Sequence, residues 1–199
     1  MRNNYFEHMF KLTPLTYVKV LLFLVVTGGV SGFKKQPLTL YQTTSGKISF
    51  RSDAPLEVIK ASSDELIGLL DISKKNFSFK IDIHSFQGFN NPLQKEHFNE
   101  NYMESDKYPY ASFSGKIIED VDLAADGDYE LRAKGNLLIH NVSQERIIKA
   151  IVNVKKNVIT VNSDFTVLLS DHNIPIPKVV YQKLANEIKV EVNAIFEPR

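Results

Sequence analysis

The sequence predicts an all-β domain, an eight-stranded antiparallel barrel with one short helix between strands, and three observations carry that expectation. Most of the chain beyond residue 37 alternates apolar and polar side chains with the period of two that turns one face of a strand inward. The alternating segments are joined mostly by short polar or glycine-containing turns, as hairpins are. One long interruption, residues 91–109, reads NPLQKEHFNENYMESDKYP and has the features of a helix. About eight or nine such strands fit a closed barrel or a sandwich, and the length of several of them favours closure.

At the N-terminus, Arg2, Lys11 and Lys19 precede an uncharged apolar run, residues 20–26, followed by Thr27-Gly28-Gly29-Val30-Ser31-Gly32. That is the layout of a secretory signal peptide, here residues 1–32 with cleavage before Phe33. The run is well short of the ~20 residues that a membrane-spanning helix needs. The expectation is a single periplasmic or secreted domain, residues 33–199. The absence of cysteine excludes a lipid-modified cysteine, a disulfide framework and thiol catalysis. The chain carries 24 basic and 23 acidic residues, and removing the leader leaves a slight excess of acid. With charges of both signs interspersed there is no basic field, and nucleic acid is excluded as a partner.

Residues 38–43 and 47–52 read as two short strands turning at Ser45-Gly46, with Ile48 and Phe50 inward. From 54 to 72 the pattern is poorer: Leu56, Val58 and Ile59 are too close for either period, while Leu66, Gly68 and Leu70 suggest a strand. Gly68 inside it predicts a bulge or a sharp bend. Residues 76–86 place Phe77, Phe79, Ile81 and Ile83 on one face, opposite Ser78, Lys80, Asp82 and His84. Then comes the interruption, where Asn90 or Asn91 caps a helix with Pro92 in its first turn and Phe98, Tyr102 and Met103 on its apolar side. Tyr108-Pro109 returns the chain to an extended conformation. The strand that follows, to about residue 121, turns Ala111, Phe113, Gly115 and Ile117 one way. Asp126-Gly127 predicts a hairpin turn into the longest alternation, Tyr129, Leu131, Ala133, Gly135, Leu137 and Ile139. Ile148, Ala150, Val152 and Val154 continue it, a turn follows at 155–157, and Val161, Ser163, Phe165, Val167 and Leu169 form the next inner phase. Residues 171–185 are irregular, with Pro177 placed to open a short helix to Leu184. The last strand alternates through Ile188, Val190, Val192, Ala194 and Phe196.

The inner phase mixes large rings with Ala133, Gly135, Ala150 and Ser163. Small residues either leave room for one ligand or seat bulky neighbours across the barrel, and both outcomes suit eight strands. The 91–109 segment is likewise a lid or an entrance. His84, His97, His140 and His172 show no HExxH spacing, there is no GxSxG nucleophile turn, and no glycine-rich phosphate loop is found. No catalytic residue, metal or cofactor is expected.

The stretches LQKEHFNENYMESDKYPYASFSGKI (93–117) and GNLLIHNVSQERII (135–148) resemble the YceI-like, or polyisoprenoid-binding-protein-like, family. The markers are His97, Phe98, Tyr102, Lys107, Tyr108, Pro109, Ala111 and Phe113 in the first, and Gly135, Leu137, His140 and Val142 in the second. More familiar members carry an HG-V-T-K turn where this chain has His140-Asn141-Val142-Ser143-Gln144, and an Arg-Asp-x-His-Leu helix start where it has Gln94-Lys95-Glu96-His97-Phe98, so the chain resembles a divergent branch. The resemblance implies a secreted, lipocalin-like barrel over residues 37–198 that holds an isoprenoid or other amphiphilic lipid for transport or sequestration, with transient membrane contact. Read from the inward phase of the strands, the expected lining is Phe77, Phe79, Ile81, Phe113, Ala133, Leu137, Ile139, Ala150, Phe165 and Val167, with Phe98, Tyr102 and Met103 at the mouth. The alternative is a filled barrel serving a structural or protein-interaction role.

Overall fold

The computed structural model describes residues 39–199; the expected leader, residues 1–32, and the start of the expected domain at residue 33 lie outside them. Eight antiparallel strands run in chain order around a closed barrel, the last bonded to the first. They are β1 (Leu40–Asp53), β2 (Val58–Asp71), β3 (Asn76–Asp82), β4 (Tyr110–Ile117), β5 (Gly127–Ile139), β6 (Val142–Lys155), β7 (Val158–Leu168) and β8 (Glu187–Pro198). Closure covers most of the sheet edges. The inner phases of β3, β5 and β8 follow the alternation read from the sequence.

The first two strands differ from the sequence reading. Ser45-Gly46 is no hairpin turn; it lies within β1, where the register against β2 shifts between Thr43 and Gly46 and shifts back before Ile48. Burial accordingly changes phase in both strands, from Tyr41 and Thr43 to Gly46 and Ser52 in β1, and from Ala61 and Ser63 to Leu66 and Leu70 in β2. Paired bulges of this kind bend the wall while keeping the apolar set inward. Gly68 is not the bulge. Its bare Cα leaves room for the rings of Phe79 and Phe196, which a Cβ would approach to 3.0 and 2.9 Å. A true close approach occurs where Gly115 of β4 stands opposite Gly135 of β5. A Cβ at Gly115 would collide with the carbonyl oxygen of Lys134, and one at Gly135 with that of Ser114.

Two tight hairpins have both central residues left-handed, His140-Asn141 at φ 50° and 60° and Lys156-Asn157 at 51° and 62°. This twist matches that of the flanking strands. Asp126-Gly127 does not make such a turn: β4 ends at Ile117, and residues 118–126 form a loop that tucks Leu123 into the barrel's end. Tyr41, Val154, Ile159 and Phe196 surround it and close that end.

The other end is built differently. After β3 a short 3₁₀ turn, Ile83–Ser85, leads to a return pairing in which Ser62 and Gln87 exchange backbone bonds of 2.8 Å. Helix α1 (Pro92–His97) follows, capped by Asn91 Oδ1, which accepts from the Gln94 amide at 2.9 Å. One π-helical turn, Phe98–Tyr102, extends it. Pro177 opens only a 3₁₀ turn, Lys178–Val180, rather than a helix to Leu184. Finally, β6 and β7 are laddered only between Ile151–Lys155 and Val158–Asn162. Towards the helix end, side chains span the gap: Arg146 Nη2 donates to the Thr166 carbonyl at 2.8 Å, and Ser163 Oγ to that of Lys149 at 2.6 Å.

Candidate ligand-binding cavity

Inside the barrel is a cavity of about 540 Å³. Packed interiors hold few voids larger than a water molecule, whereas small-molecule sites run ~300–1,000 Å³. The barrel is hollow. All thirteen residues expected to form the lining do face this space: Phe77, Phe79 and Ile81 of β3, Phe113 of β4, Ala133, Leu137 and Ile139 of β5, Ala150 of β6, Phe165 and Val167 of β7, and Phe98, Tyr102 and Met103. Ala133 and Ala150 lie near one level of the wall, Ala133 opposite Ile148 and Ala150 opposite Leu131, so each leaves space beside a larger partner.

Two phenyl clusters bound the cavity. Towards the closed end, Phe77 meets Phe113 at 4.9 Å between ring centroids, and Phe79 meets Phe196 edge-on at 5.5 Å. Under the helix, Phe50 stacks on Phe98 at 5.3 Å, with Phe86 and Phe89 at 5.8 and 5.1 Å from the Phe98 ring. The second cluster was incomplete in the sequence reading. Phe50 was placed inward but not in the site, and Phe86 and Phe89 fall outside any regular strand. Val180 and Leu184 of the β7–β8 connection also line the space, unsignalled because that segment has no period.

The walls are apolar, and the polar groups among them are turned to other work. Ser52 Oγ accepts from the Ala185 amide at 2.9 Å, and Ser163 bonds the β6 backbone. Burial pushes the Tyr102 phenol up from its ordinary pKa. Polarity collects at the mouth, where Glu57, Asn91, Gln94, His97 and Lys183 border the opening. Gln94 Nε2 donates to Glu57, and Asn90 Nδ2 to the Val58 carbonyl at 2.9 Å, tying helix to strand β2. Among the described residues no group of three His, Cys, Asp or Glu side chains converges as a metal site requires. This arrangement can enclose an apolar chain and leave its polar end at the rim.

The model of the YceI-like domain matches residues 24–196. The chain belongs to the YceI-like family. Among solved structures, this YceI-like chain is similar to a polyisoprenoid-binding domain from Saccharophagus degradans implicated in plant cell wall breakdown, at 15% identity and TM-score 0.67 over 81% of this chain and 99% of that one. It is also similar to Burkholderia cenocepacia BcnA (16% identity, TM-score 0.62, 75% and 95% of the chains). The Campylobacter jejuni YCEI protein matches at 18% identity and TM-score 0.51, over 65% and 78%. At these identities the likeness is one of fold. No curated protein matches the chain in sequence.

Two of the residues that carried the YceI-like resemblance, Tyr108 and His140, meet in space. His140 sits between Glu104 Oε2 at 2.6 Å and the His172 carbonyl at 3.2 Å, with the Tyr108 ring edge-on to it at 5.0 Å. They clasp the end of the helical segment to the β5–β6 hairpin. His172 is fully buried; its Nδ1 lies 3.1 Å from the Val142 carbonyl, its Nε2 has no partner, and desolvation depresses its pKa.

Proposed function

We propose that this YceI-like domain binds an isoprenoid or fatty-acyl chain in its barrel and carries or sequesters it, in the periplasm or outside the cell. The observation that carries the reading is the blind apolar cavity of about 540 Å³, closed by Leu123 and Phe196 at one end and bordered by polar side chains at the other. A tail enters first and its polar end stays at the mouth. Ten buried methylenes contribute about 8 kcal/mol, enough for micromolar affinity before the costs of association. No charged anchor inside the barrel is needed. The polyisoprenoid-binding domain of Saccharophagus degradans shares the fold and lends its ligand class as support. Export is supported by the leader-like composition of residues 1–32. The chemistry is binding rather than turnover, with selectivity set by cavity length and width.

Native mass spectrometry of the purified protein, followed by solvent extraction, tests this directly. A stoichiometric lipid adduct is expected. A clean apo mass that stays unchanged after incubation with isoprenoids and fatty acids overturns it and favours a hollow interaction domain.

A further inference from the structure

We propose that the cavity mouth is a membrane-docking surface that seats on anionic lipid; the inference rests on the lipid-binding reading above, extended from the cavity to its rim. Three separate segments are stitched into one rim: residues 54–57, 90–97 and 177–184. Gln94 bonds Glu57, Asn90 bonds the Val58 carbonyl, and the Leu56 amide donates to the Gln182 carbonyl at 2.9 Å. Each segment holds an apolar side chain out into solvent, Leu56 at 67% exposure, Leu93 at 55%, and Val179 and Tyr181 at 89% and 65%. Leu93 lines the cavity itself, and the other three are chain neighbours of the lining residues Glu57 and Val180.

Exposed apolar residues on the barrel wall are arranged differently. Ile147 lies opposite Lys134, and Ile151 opposite Glu130, so charges interrupt them. Along the 177–184 segment the exposed residues are instead flanked by cations, and over the three rim segments Lys95, Lys178 and Lys183 outnumber Glu57 and Glu96. From His172 to Asn186 the chain has no acidic residue, and Lys178 and Lys183 bracket Val179-Val180-Tyr181. An aromatic ring, aliphatic tips and flanking lysines are what an interfacial segment uses: the apolar groups enter the headgroup boundary while the lysines stay at the phosphates. Charge complementarity therefore selects an anionic bilayer as the occupant. With the mouth pressed to the bilayer, a tail passes from membrane to barrel without crossing water.

The test is flotation with vesicles of phosphatidylcholine alone and of phosphatidylcholine with phosphatidylglycerol, beside uptake of a fluorescent fatty acid dispersed in detergent. The protein is expected to float with the anionic vesicles. Lys178→Gln with Lys183→Gln lowers the partition coefficient about thirty-fold. Val179→Asp with Tyr181→Asp lowers it at least about tenfold while detergent-dispersed uptake is unchanged, and Ala133→Phe blocks uptake while flotation persists. Absence of flotation in the wild type, flotation undiminished in both rim variants, or a dimer that Val179→Asp with Tyr181→Asp dissociates in place of vesicle binding overturns the proposal. Normal uptake beside absent flotation refutes docking alone, whereas flotation without uptake in the wild type refutes the cavity reading alone.

Discussion

Replacing Ala133 with Phe separates a working cavity from an incidental void. Ala133 is on the inner face of β5, with Ile117 of β4 and Ile148 of β6 directly across. A phenyl ring there projects into the cavity and takes the space of roughly five ligand methylenes. At ~0.8 kcal/mol each that removes about 4 kcal/mol of tail burial, about a thousand-fold in Kd. Stability moves the other way. In a well-packed interior the same insertion costs ~1–3 kcal/mol, but here the ring fills empty space, and its burial contributes up to about 1.5–3 kcal/mol. In a domain of this size each kcal/mol moves Tm by ~2–4 °C. Displacement of a fluorescent fatty acid, read beside a thermal melt, gives both quantities. Weakened binding with an equal or higher Tm is expected; wild-type affinity in a folded variant refutes the reasoning.

Gly115→Ala drives a Cβ into the Lys134 carbonyl and is expected to lower Tm by roughly 6–12 °C, from about 3 kcal/mol of overpacking. For His172, burial holds the folded pKa below 6.5, so the unfolded chain takes up the proton first and stability, flat above that pH, falls as pH drops through it. His172→Asn keeps a donor for the Val142 carbonyl, and urea midpoints at pH 7.5 and 5.5 are expected to converge relative to wild type. Arg146→Met removes the bridge to Thr166 and is expected to cost about 1–2 kcal/mol with faster amide exchange over residues 163–168. Hydrogen exchange should be fastest at 92–102 and 177–184 and slowed there by ligand; ligand protection confined to 118–126 places the entrance at the wrong end.

Much of the barrel was legible because strand alternation is imposed by burial of one face, and β3, β5 and β8 are uninterrupted examples. Failure came where backbone geometry breaks the period. The bulges near Gly46 and Leu66 change phase within a strand, so β1 read as two strands and β2 was read only in its second half, at Leu66, Gly68 and Leu70. Turn chemistry misled at Asp126-Gly127, since a favourable turn pair says nothing about whether the preceding strand has already ended. The thirteen expected lining residues lie on regular elements or on the helical segment's apolar side; Phe86, Phe89, Val180 and Leu184 lie where long-range packing alone decides direction. Arg146 carried a usable signal: it shares the inward phase of Ile148 and Ala150, where a charge is out of place unless it has backbone to bond.

The two ends of the barrel differ in what opening them would cost, and that difference gives the cavity a direction. At the closed end Ile159 and Ala194 are fully buried, Tyr41 and Phe196 nearly so, and strand ladders surround them. Opening there exposes large side chains and breaks sheet hydrogen bonds together. At the mouth, α1 has six residues and none is buried, side-chain bonds from Asn90 to Val58 and from Gln94 to Glu57 tie its start to the wall, and the 177–184 segment holds one 3₁₀ turn. Elements with few buried contacts and solvent-exposed bonds open at low free energy. The Phe50, Phe86, Phe89 and Phe98 rings pack on one another across the mouth, and under the proposed lipid-binding function they would part to present apolar faces to a tail. Because ring–ring contact is exchanged for ring–tail contact, entry leaves little apolar surface in water at either stage. A six-residue helix on side-chain tethers fits this exchange better than a ninth strand would, since a laddered strand has to break backbone hydrogen bonds to let the same tail through.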